Sequence, residues 1–222
     1  MVLVTFALAA EGRVFQKRLT NRQKHDGIVC GSVTGIEVGI CCLGICASEQ
    51  AHFEAVICKF EPEWVLSSGF AGSTRSLVMP GDFVLSENFS DPELVTQIIG
   101  TRLVDAAGKF LSVSEVAGPE SKLRLNRLGD TLAVDMESAI VADICRSATI
   151  PIVTARMISD ALPERIPKIF LGERTIRPAD WVEAAKFSGR MLQLTGKLAV
   201  RLEGLLRYLH GKFAFRNVPR LP

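Results

Sequence analysis

The sequence predicts one α/β domain, and three of its features lead to this prediction. Strand-like apolar runs alternate with helical segments, a pattern typical of a sheet covered by helices. The 222 residues are 48% hydrophobic, which is enough to build one full core. Neither an internal repeat nor a linker-like segment interrupts the chain before its last residues. We therefore expect a single domain over 1–210 and a basic tail over 211–222.

Hydrophobic periodicity predicts the order of the elements. Apolar and β-branched runs predict strands over 2–8, 28–33, 36–46, 64–68, 82–87, 110–116, 131–135 and 151–158. Helical spacing predicts helices over 48–60 and 137–148, and a long helix over about 181–210. The apolar segment 28–47 is long enough for a membrane span of about 20 residues. Four glycines and Glu37 within it favour instead two short buried strands joined by a turn.

The most informative segment is 132–160, in which two strands each end in acidic residues and an amphipathic helix connects them. The first strand leads into Asp135 and Glu137, and the second ends in Ser159 and Asp160. A β-α-β unit predicts parallel strands, whose carboxyl ends lie at one edge of the sheet where ligands bind. Glu137 and Asp160 are therefore expected to face one crevice. From spacing alone, the same acids could equally cap the helix and begin a loop.

Several motifs resemble the purine nucleoside phosphorylase and methylthioadenosine/S-adenosylhomocysteine nucleosidase superfamily. The residues that carry the resemblance are Ala7-Leu-Ala-Ala-Glu11, Leu66-Ser-Ser-Gly-Phe-Ala-Gly72, Pro80-Gly-Asp-Phe-Val84, Asp135-Met-Glu137 and Arg156-Met-Ile-Ser-Asp160. Within the superfamily, segments 116–119 and 132–138 together with Lys122 are similar to the hopanoid-associated phosphorylase group. The similarity extends over roughly residues 1–170.

This resemblance implies a three-layer α/β/α sandwich with a mixed central sheet. It also implies an enzyme that cleaves the N-glycosidic bond of a purine nucleoside by phosphorolysis or hydrolysis, with a 5′-substituted adenosine as the expected substrate. The reaction needs no cofactor, and members of the superfamily usually assemble as homo-oligomers. The alternative is a non-catalytic protein that binds or senses a nucleoside on the same fold.

Cleavage of this bond builds positive charge on the sugar and negative charge on the departing base, and an enzyme must stabilise both. The resemblance makes Asp160 the general acid that protonates purine N7, with Ser159 holding it. Glu11 is the expected base for an attacking water, although it could also be a solvated residue that opens a helix around 14–19. Arg156 is expected to fix the water and the carboxylates, or to serve as a structural ion-pair partner.

Three sets of binding residues follow from the same resemblance. The expected ribose-binding residues are Asp135, Met136 and Glu137, where the ionised Glu137 accepts hydrogen bonds from the vicinal hydroxyls. The expected base-binding residues are Ala71, Gly72, Ser114 and Val116. The expected nucleophile or phosphate loop comprises Ser68, Gly69 and Phe70. Glycine in this loop would let backbone N–H groups approach a small ligand, and a tight turn would explain it equally well.

The chain departs from its relatives at three positions. Phe70 stands where the nucleosidases tend to carry a small hydroxyl residue, and Ser67 stands where several phosphorylases place a phosphate-binding arginine. Arg13 or Arg75 could supply a cation from another direction. Val116 stands where the nucleosidases offer an aromatic ring, and it gives less face-to-face contact with a base. The sequence therefore leaves open whether water or phosphate is the nucleophile.

The net charge of +2 conceals an uneven distribution. Residues 186–222 contain eight lysines and arginines against one acid, Glu203. The leucines of the helix over 181–210 fall at helical spacing, so its apolar face either packs on the core or docks, with the basic tail, on an anionic membrane surface. Nucleic-acid binding is not expected, because no aromatic stacking platform accompanies the basic residues.

Six cysteines lie inside apolar segments, at positions 30, 41, 42, 46, 58 and 145. We expect them to be buried reduced thiols, as in a cytoplasmic protein. No metal site is expected, because the spacing of Cys42 and Cys46 has no second cysteine pair to complete a zinc site. The first residues lack the basic opening and the longer apolar core of a signal peptide, which also favours a cytoplasmic location.

Overall fold

Ten strands form one mixed sheet in the computed structural model, which describes residues 1–171 and 177–216. The strands are β1 (Val2–Phe6), β2 (Thr20–His25), β3 (Ile28–Val33), β4 (Ile36–Cys42), β5 (Trp64–Ser67), β6 (Phe70–Ser73), β7 (Phe83–Ser86), β8 (Ala106–Ser112), β9 (Thr131–Asp135) and β10 (Ile152–Asp160). Their order across the sheet is β2-β3-β4-β1-β5-β10-β6-β9-β8-β7. Strand β7 also pairs with β10, so strands β6 to β10 close into a ring.

Helices cover both faces of this sheet. They are α1 (Ala9–Arg18), α2 (Gln50–Phe60), α3 (Pro92–Ile98), α4 (Pro119–Leu128), α5 (Ser138–Ser147) and α6 (Pro178–Arg216). Strand β1 is buried on both faces: Val4 packs in a cluster with residues of α1, α3 and α6, and Leu3 packs in a second cluster with residues of α2 and α5. The predicted three-layer α/β/α arrangement is therefore confirmed.

The apolar face of α6 supplies much of one core. Its leucines at 198, 202, 205, 206 and 209 are fully buried. Arg201 anchors the outer side of the helix through two hydrogen bonds to Asp105, of 2.7 and 2.8 Å. The helix continues six residues past its predicted end at 210, and residues 217–222 of the predicted tail lie outside the described residues. No helix in the described part of the chain is both long and apolar enough to cross a membrane.

Several elements differ from their prediction. Strand β2 has six exposed residues, TNRQKH, and pairs along one edge with β3, so it carries no hydrophobic signal. Strand β6 and helices α3 and α4 are also absent from the prediction, because each is short or has few buried residues. Strand β8 begins at Ala106 and ends at Ser112, about four residues earlier than predicted. The predicted strand 36–46 ends at Cys42, and a 3-10 turn follows over Ile45–Ala47.

The six cysteines are free thiols, but they differ in burial. Cys41 and Cys145 are buried, and burial raises the pKa of each to about 12. Cys58 lies exposed on α2, which corrects the expectation that all six are buried. The apolar periodicity of this helix extends to residues that face solvent.

Candidate active site

A cavity of about 290 Å³ lies beside the ends of β1, β6, β9 and β10. It brings together most of the predicted site residues, namely Glu11, Phe70, Ala71, Gly72, Val116, Asp135, Met136, Glu137, Ser159 and Asp160. Ser68, Gly69, Ser114 and Arg156 do not line it. The volume suits one small ligand, and four acidic residues line it: Glu11, Asp135, Glu137 and Asp160.

The acids of β9 and β10 meet for a reason that differs from the predicted one. Strand β9 is antiparallel to β6, and β6 is parallel to β10, so β9 and β10 do not share a carboxyl edge. Both Val134 and Asp160 instead pair with Gly72 of β6, from its two sides. The register of this short central strand therefore places Asp135 and Asp160 close together.

Glu11 occupies the first turn of α1, directly after β1. The backbone N–H of Leu8 donates to Glu11 Oε2 at 3.2 Å. Burial raises the pKa of Glu11 from 4.5 to about 7, although the Leu8 hydrogen bond and the charge of Arg156 lower it. A carboxyl group with this pKa can both accept and release a proton near neutral pH, as a general base must.

The loop between β5 and β6 passes very close to Glu11. A Cβ atom at Gly69 would lie 2.9 Å from Glu11 Oε2, and Gly69 has a φ of +141°, which L side chains rarely adopt. Glycine is therefore required here by space and by backbone conformation. This contact explains Gly69 without a bound phosphate. The neighbouring Ser68 is buried, and its hydroxyl has no hydrogen-bond partner among the described residues.

Glu137 lies at the N-terminus of α5 and faces the cavity. Its Oε1 atom accepts a hydrogen bond from the backbone N–H of Cys46, at 3.0 Å. Burial raises the pKa of Glu137, and the nearby Arg156 opposes that shift. The Cys46 thiol points to the Ser114 carbonyl oxygen, at 3.5 Å, which ties the 3-10 turn to the segment after β8.

Arg156 lies behind the cavity wall rather than in it. The guanidinium Nε donates to Asp135 Oδ2 at 2.9 Å, and Nη2 donates to Ser67 Oγ at 3.1 Å and to Ser138 Oγ at 3.0 Å. Asp135 also accepts hydrogen bonds from Ser112 and Ser138. Asp135 and Arg156 thus satisfy each other, which favours the structural ion-pair interpretation of Arg156 and leaves little capacity on Asp135 for a ribose.

Loss of this buried ion pair gives a stability prediction. We expect Arg156→Met to lower the free energy of unfolding by about 3–5 kcal/mol, because the fully buried Asp135 carboxylate would lose its charged partner. Urea unfolding measures the change. Arg207→Met is the matched control, since Arg207 pairs with Glu203 on the surface and should contribute less than about 1 kcal/mol. Equal losses in the two variants would contradict this account.

Asp160 forms a second buried ion pair at the other end of the cavity. Its Oδ1 atom lies 2.5 Å from the Ser159 hydroxyl, which also lies 3.2 Å from the Ala71 carbonyl oxygen. Its Oδ2 atom pairs with the ammonium group of Lys122, from the first turns of α4. A Cβ atom at Gly72 would lie 3.0 Å from both Asp160 Oδ2 and Lys122 Cε, so the absence of a side chain there makes room for the pair.

Sequence reasoning missed Lys122 as a site residue and missed much of the apolar wall. The remaining lining residues that the prediction lacks are Ala7, Leu8, Ile45, Val113, Ala117, Val134, Ile166, Phe170, Phe187 and Met191. Phe187 and Met191 come from α6, and the Phe187 ring lies 5.3 Å from that of Phe170. Their helical spacing looks like ordinary core packing, so only the tertiary structure identifies them as part of the cavity.

The mixed three-layer fold and a cavity lined by Glu11, Glu137 and Asp160 agree with the resemblance to the nucleoside phosphorylase and nucleosidase superfamily. The family model described as the phosphorylase superfamily matches residues 6–110. This match, with the structural similarities below, confirms the resemblance to the superfamily.

Solved structures with the same fold cover nearly the whole chain. A 5′-methylthioadenosine/S-adenosylhomocysteine nucleosidase from S. pneumoniae, solved with a transition-state inhibitor, has a TM-score of 0.72 at 19% identity, covering 94% of this chain and 99% of its own. A structure from Borrelia burgdorferi described as the same nucleosidase, bound to adenine, has a TM-score of 0.74 at 20% identity and covers 94% and 100%. Futalosine hydrolase of Helicobacter pylori has a TM-score of 0.68 at 17% identity and covers 93% and 97%.

Proposed function

We propose that this protein hydrolyses the N-glycosidic bond of a purine nucleoside and releases the free base. The observation that carries the proposal is that Glu11, Glu137 and Asp160 line one cavity. The reaction changes the charge on three partners, the attacking water, the sugar and the leaving base. Each of these partners has one of the three carboxyl groups to act on it. The structural similarity to nucleosidases supports the same function.

Each carboxyl group has a distinct task in this mechanism. Asp160 transfers a proton to N7 of the base while the bond between C1′ and N9 breaks, so the bonding electrons leave with a neutral base. Glu137 accepts hydrogen bonds from the ribose hydroxyls and places negative charge beside the oxocarbenium-like sugar. Glu11 accepts the proton of the water that attacks C1′. Met136 lines the same cavity and packs against the ribose.

The charge distribution favours water over phosphate as the nucleophile. Among the described residues, Lys122 is the one lysine or arginine that lines the cavity, and it is paired with Asp160. Arg156 lies behind the cavity wall and donates to Ser67, and Arg75 donates to the Gly129 carbonyl oxygen. A phosphate dianion near Glu11 and Glu137 would meet carboxylates, and the described part of the chain supplies no unpaired cation in the cavity to offset them.

The apolar wall supports a nucleoside with an apolar 5′ group. Leu8, Ile45, Val116 and Phe170 line the cavity, and each is between 43% and 54% exposed. A substituent on the 5′ carbon of adenosine would cover these side chains from water, which stabilises the complex. The similarity to the hopanoid-associated phosphorylase group is part of this proposal, and so is the identity of the 5′ substituent.

Release of adenine tests the function. Methylthioadenosine, adenosylhomocysteine and adenosines with longer apolar 5′ chains should each be incubated with the protein, and adenine should be measured by chromatography. We expect turnover, fastest with an apolar 5′ group. Binding detected by calorimetry without release of adenine would overturn the enzymatic function and support the alternative, a nucleoside-binding or sensing protein.

The raised pKa of Glu11 predicts how activity depends on pH. Because Glu11 must be ionised to accept a proton, kcat/KM should rise with pH through about 7 and then level off. Initial rates at low substrate concentration between pH 5 and 9 measure this limb. A limb near 4.5, the ordinary value for a glutamate, would show that Glu11 does not limit the reaction.

Three further expectations belong to this proposal. A homo-oligomer would be tested by analytical ultracentrifugation. Contact of the basic C-terminal segment with anionic membranes would be tested by co-sedimentation with anionic vesicles, which truncation at 210 should reduce. A cytoplasmic location would be tested by cell fractionation.

A further inference from the structure

Lys122 is buried at the base end of the cavity, and the proposed mechanism gives it no task. The exposed fraction is 1% for the Lys122 side chain and 2% for the Asp160 side chain. A lysine is almost never fully buried unless it is paired, because its charge loses the solvation of water. Its position in the wall of the site therefore requires an explanation beyond packing.

The three N–H bonds of the ammonium group have protein acceptors. One is directed to Asp160 Oδ2, and the others lie within hydrogen-bond distance of the Ala161 carbonyl oxygen at 3.0 Å and the Glu164 carbonyl oxygen at 3.4 Å. No donor is left over for a nucleoside. Lys122 can therefore act on a bound base only through Asp160.

The pair presents a chemical difficulty for a general acid. An adjacent ammonium group favours the ionised form of a carboxyl group, and an ionised Asp160 has no proton to give. Lysine, however, gives up its proton readily when it is buried. Removing both charges from water is costly, so the neutral tautomer, an amine beside a carboxylic acid, lies closer in energy here than at the surface.

We propose that Lys122 stores the proton that Asp160 delivers to the leaving base. As the bond between C1′ and N9 breaks, the Lys122 ammonium gives one proton to the Asp160 carboxylate, and Asp160 passes that proton on to N7. The bonding electrons remain on the base, Asp160 ends as a carboxylate, and Lys122 ends as a neutral amine. Solvent reprotonates Lys122 after the base departs. This inference rests on the proposed function and makes Lys122 a positioning residue that acts through Asp160.

Substrates with different leaving groups separate proton supply from structural support. Adenine needs protonation to leave, whereas 4-nitrophenolate leaves without it. The experiment compares kcat/KM for a 5′-substituted adenosine with kcat/KM for the 4-nitrophenyl riboside that carries the same 5′ group. Their ratio is the readout, because damage to the sugar site or to the fold lowers both values together.

Two variants of Lys122 and one control make the test specific. We expect the ratio to fall by about 100-fold or more in Lys122→Met, the size of a lost general-acid contribution. Lys122→Arg should show the same fall, because arginine keeps the positive charge but does not release its proton. Lys109→Met is the control, since Lys109 forms a surface pair with Asp130 at 2.7 Å and should keep the wild-type ratio.

Each outcome decides the inference. A ratio within threefold of wild type in Lys122→Met, or a wild-type ratio in Lys122→Arg, would overturn it. A wild-type protein that cleaves neither substrate would overturn the proposed function instead. If the Lys122 variants fail to fold, rates of the wild-type protein in mixtures of H₂O and D₂O replace them. A plot of rate against the deuterium fraction of the solvent should be more strongly curved for the adenosine substrate than for the nitrophenyl riboside. Equal curvature for the two substrates would overturn the inference.

Discussion

Asp160→Asn should lower kcat for adenine release by about 10³-fold, within the range of a lost general acid. An amide has no acidic proton to transfer to N7, and it does not accept one from Lys122. Asp160 is fully buried beside the cavity with Ser159 and Lys122, so bulk water cannot replace it easily. Steady-state assays with a 5′-substituted adenosine measure the effect.

The fold must be monitored in the same variant, because Asp160→Asn leaves the buried Lys122 charge without its partner. The double variant Asp160→Asn/Lys122→Met removes both charges and should recover stability without recovering activity. Asp130→Asn, which removes the surface partner of Lys109, is the control and should keep the wild-type rate. A rate for Asp160→Asn within tenfold of wild type would remove Asp160 from the catalytic step.

Glu11→Gln should lower kcat by about 10²–10⁴-fold, because glutamine cannot accept the proton of the attacking water. It should also change how stability depends on pH. The folded pKa of Glu11, about 7, lies above its ordinary value of 4.5, so its contribution to stability is complete below pH 4.5 and is lost as pH rises through 7. The free energy of unfolding of the variant relative to the wild type should therefore be higher at pH 8 than at pH 4, by about 3 kcal/mol.

Urea unfolding at pH 4 and pH 8 measures this gain, and Glu54→Gln on the exposed face of α2 is the control. Glu11→Gln should thus lower the activity and raise the stability at pH 8, because the carboxyl group that performs the chemistry also destabilises the fold when it ionises. A Glu11→Gln variant that loses activity and also loses stability at pH 8 would indicate structural damage rather than loss of a base.

The sequence shows which acids lie at strand ends, for a physical reason. Strand ends are visible as apolar runs, and an acid that follows a buried run must be a cap or a functional group. Glu137 and Asp160 were found in this way, and both line the cavity. The spatial argument for their proximity was wrong, because the register of β6 cannot be seen in a four-residue strand.

The structural environment of Lys122 and of Arg156 could not be assigned from a single sequence. Lys122 sits among polar residues of α4, a short helix whose other side chains are mostly exposed, so neither periodicity nor composition indicates that it is buried. Arg156 was ambiguous for the opposite reason: an arginine in a buried strand needs acidic partners whether it is catalytic or not. Its hydrogen bonds to Asp135, Ser67 and Ser138 could be assigned only once the fold had brought β5, β9 and β10 together.

The fate of the sugar tests the central claim most directly. A 5′-substituted adenosine should be incubated with the protein in phosphate-free buffer and again with added phosphate, and the products should be identified by mass spectrometry. We expect adenine and the free 5′-substituted ribose in equal amounts, at a rate that phosphate does not change. Formation of a ribose 1-phosphate, or no adenine in either buffer, would contradict the account.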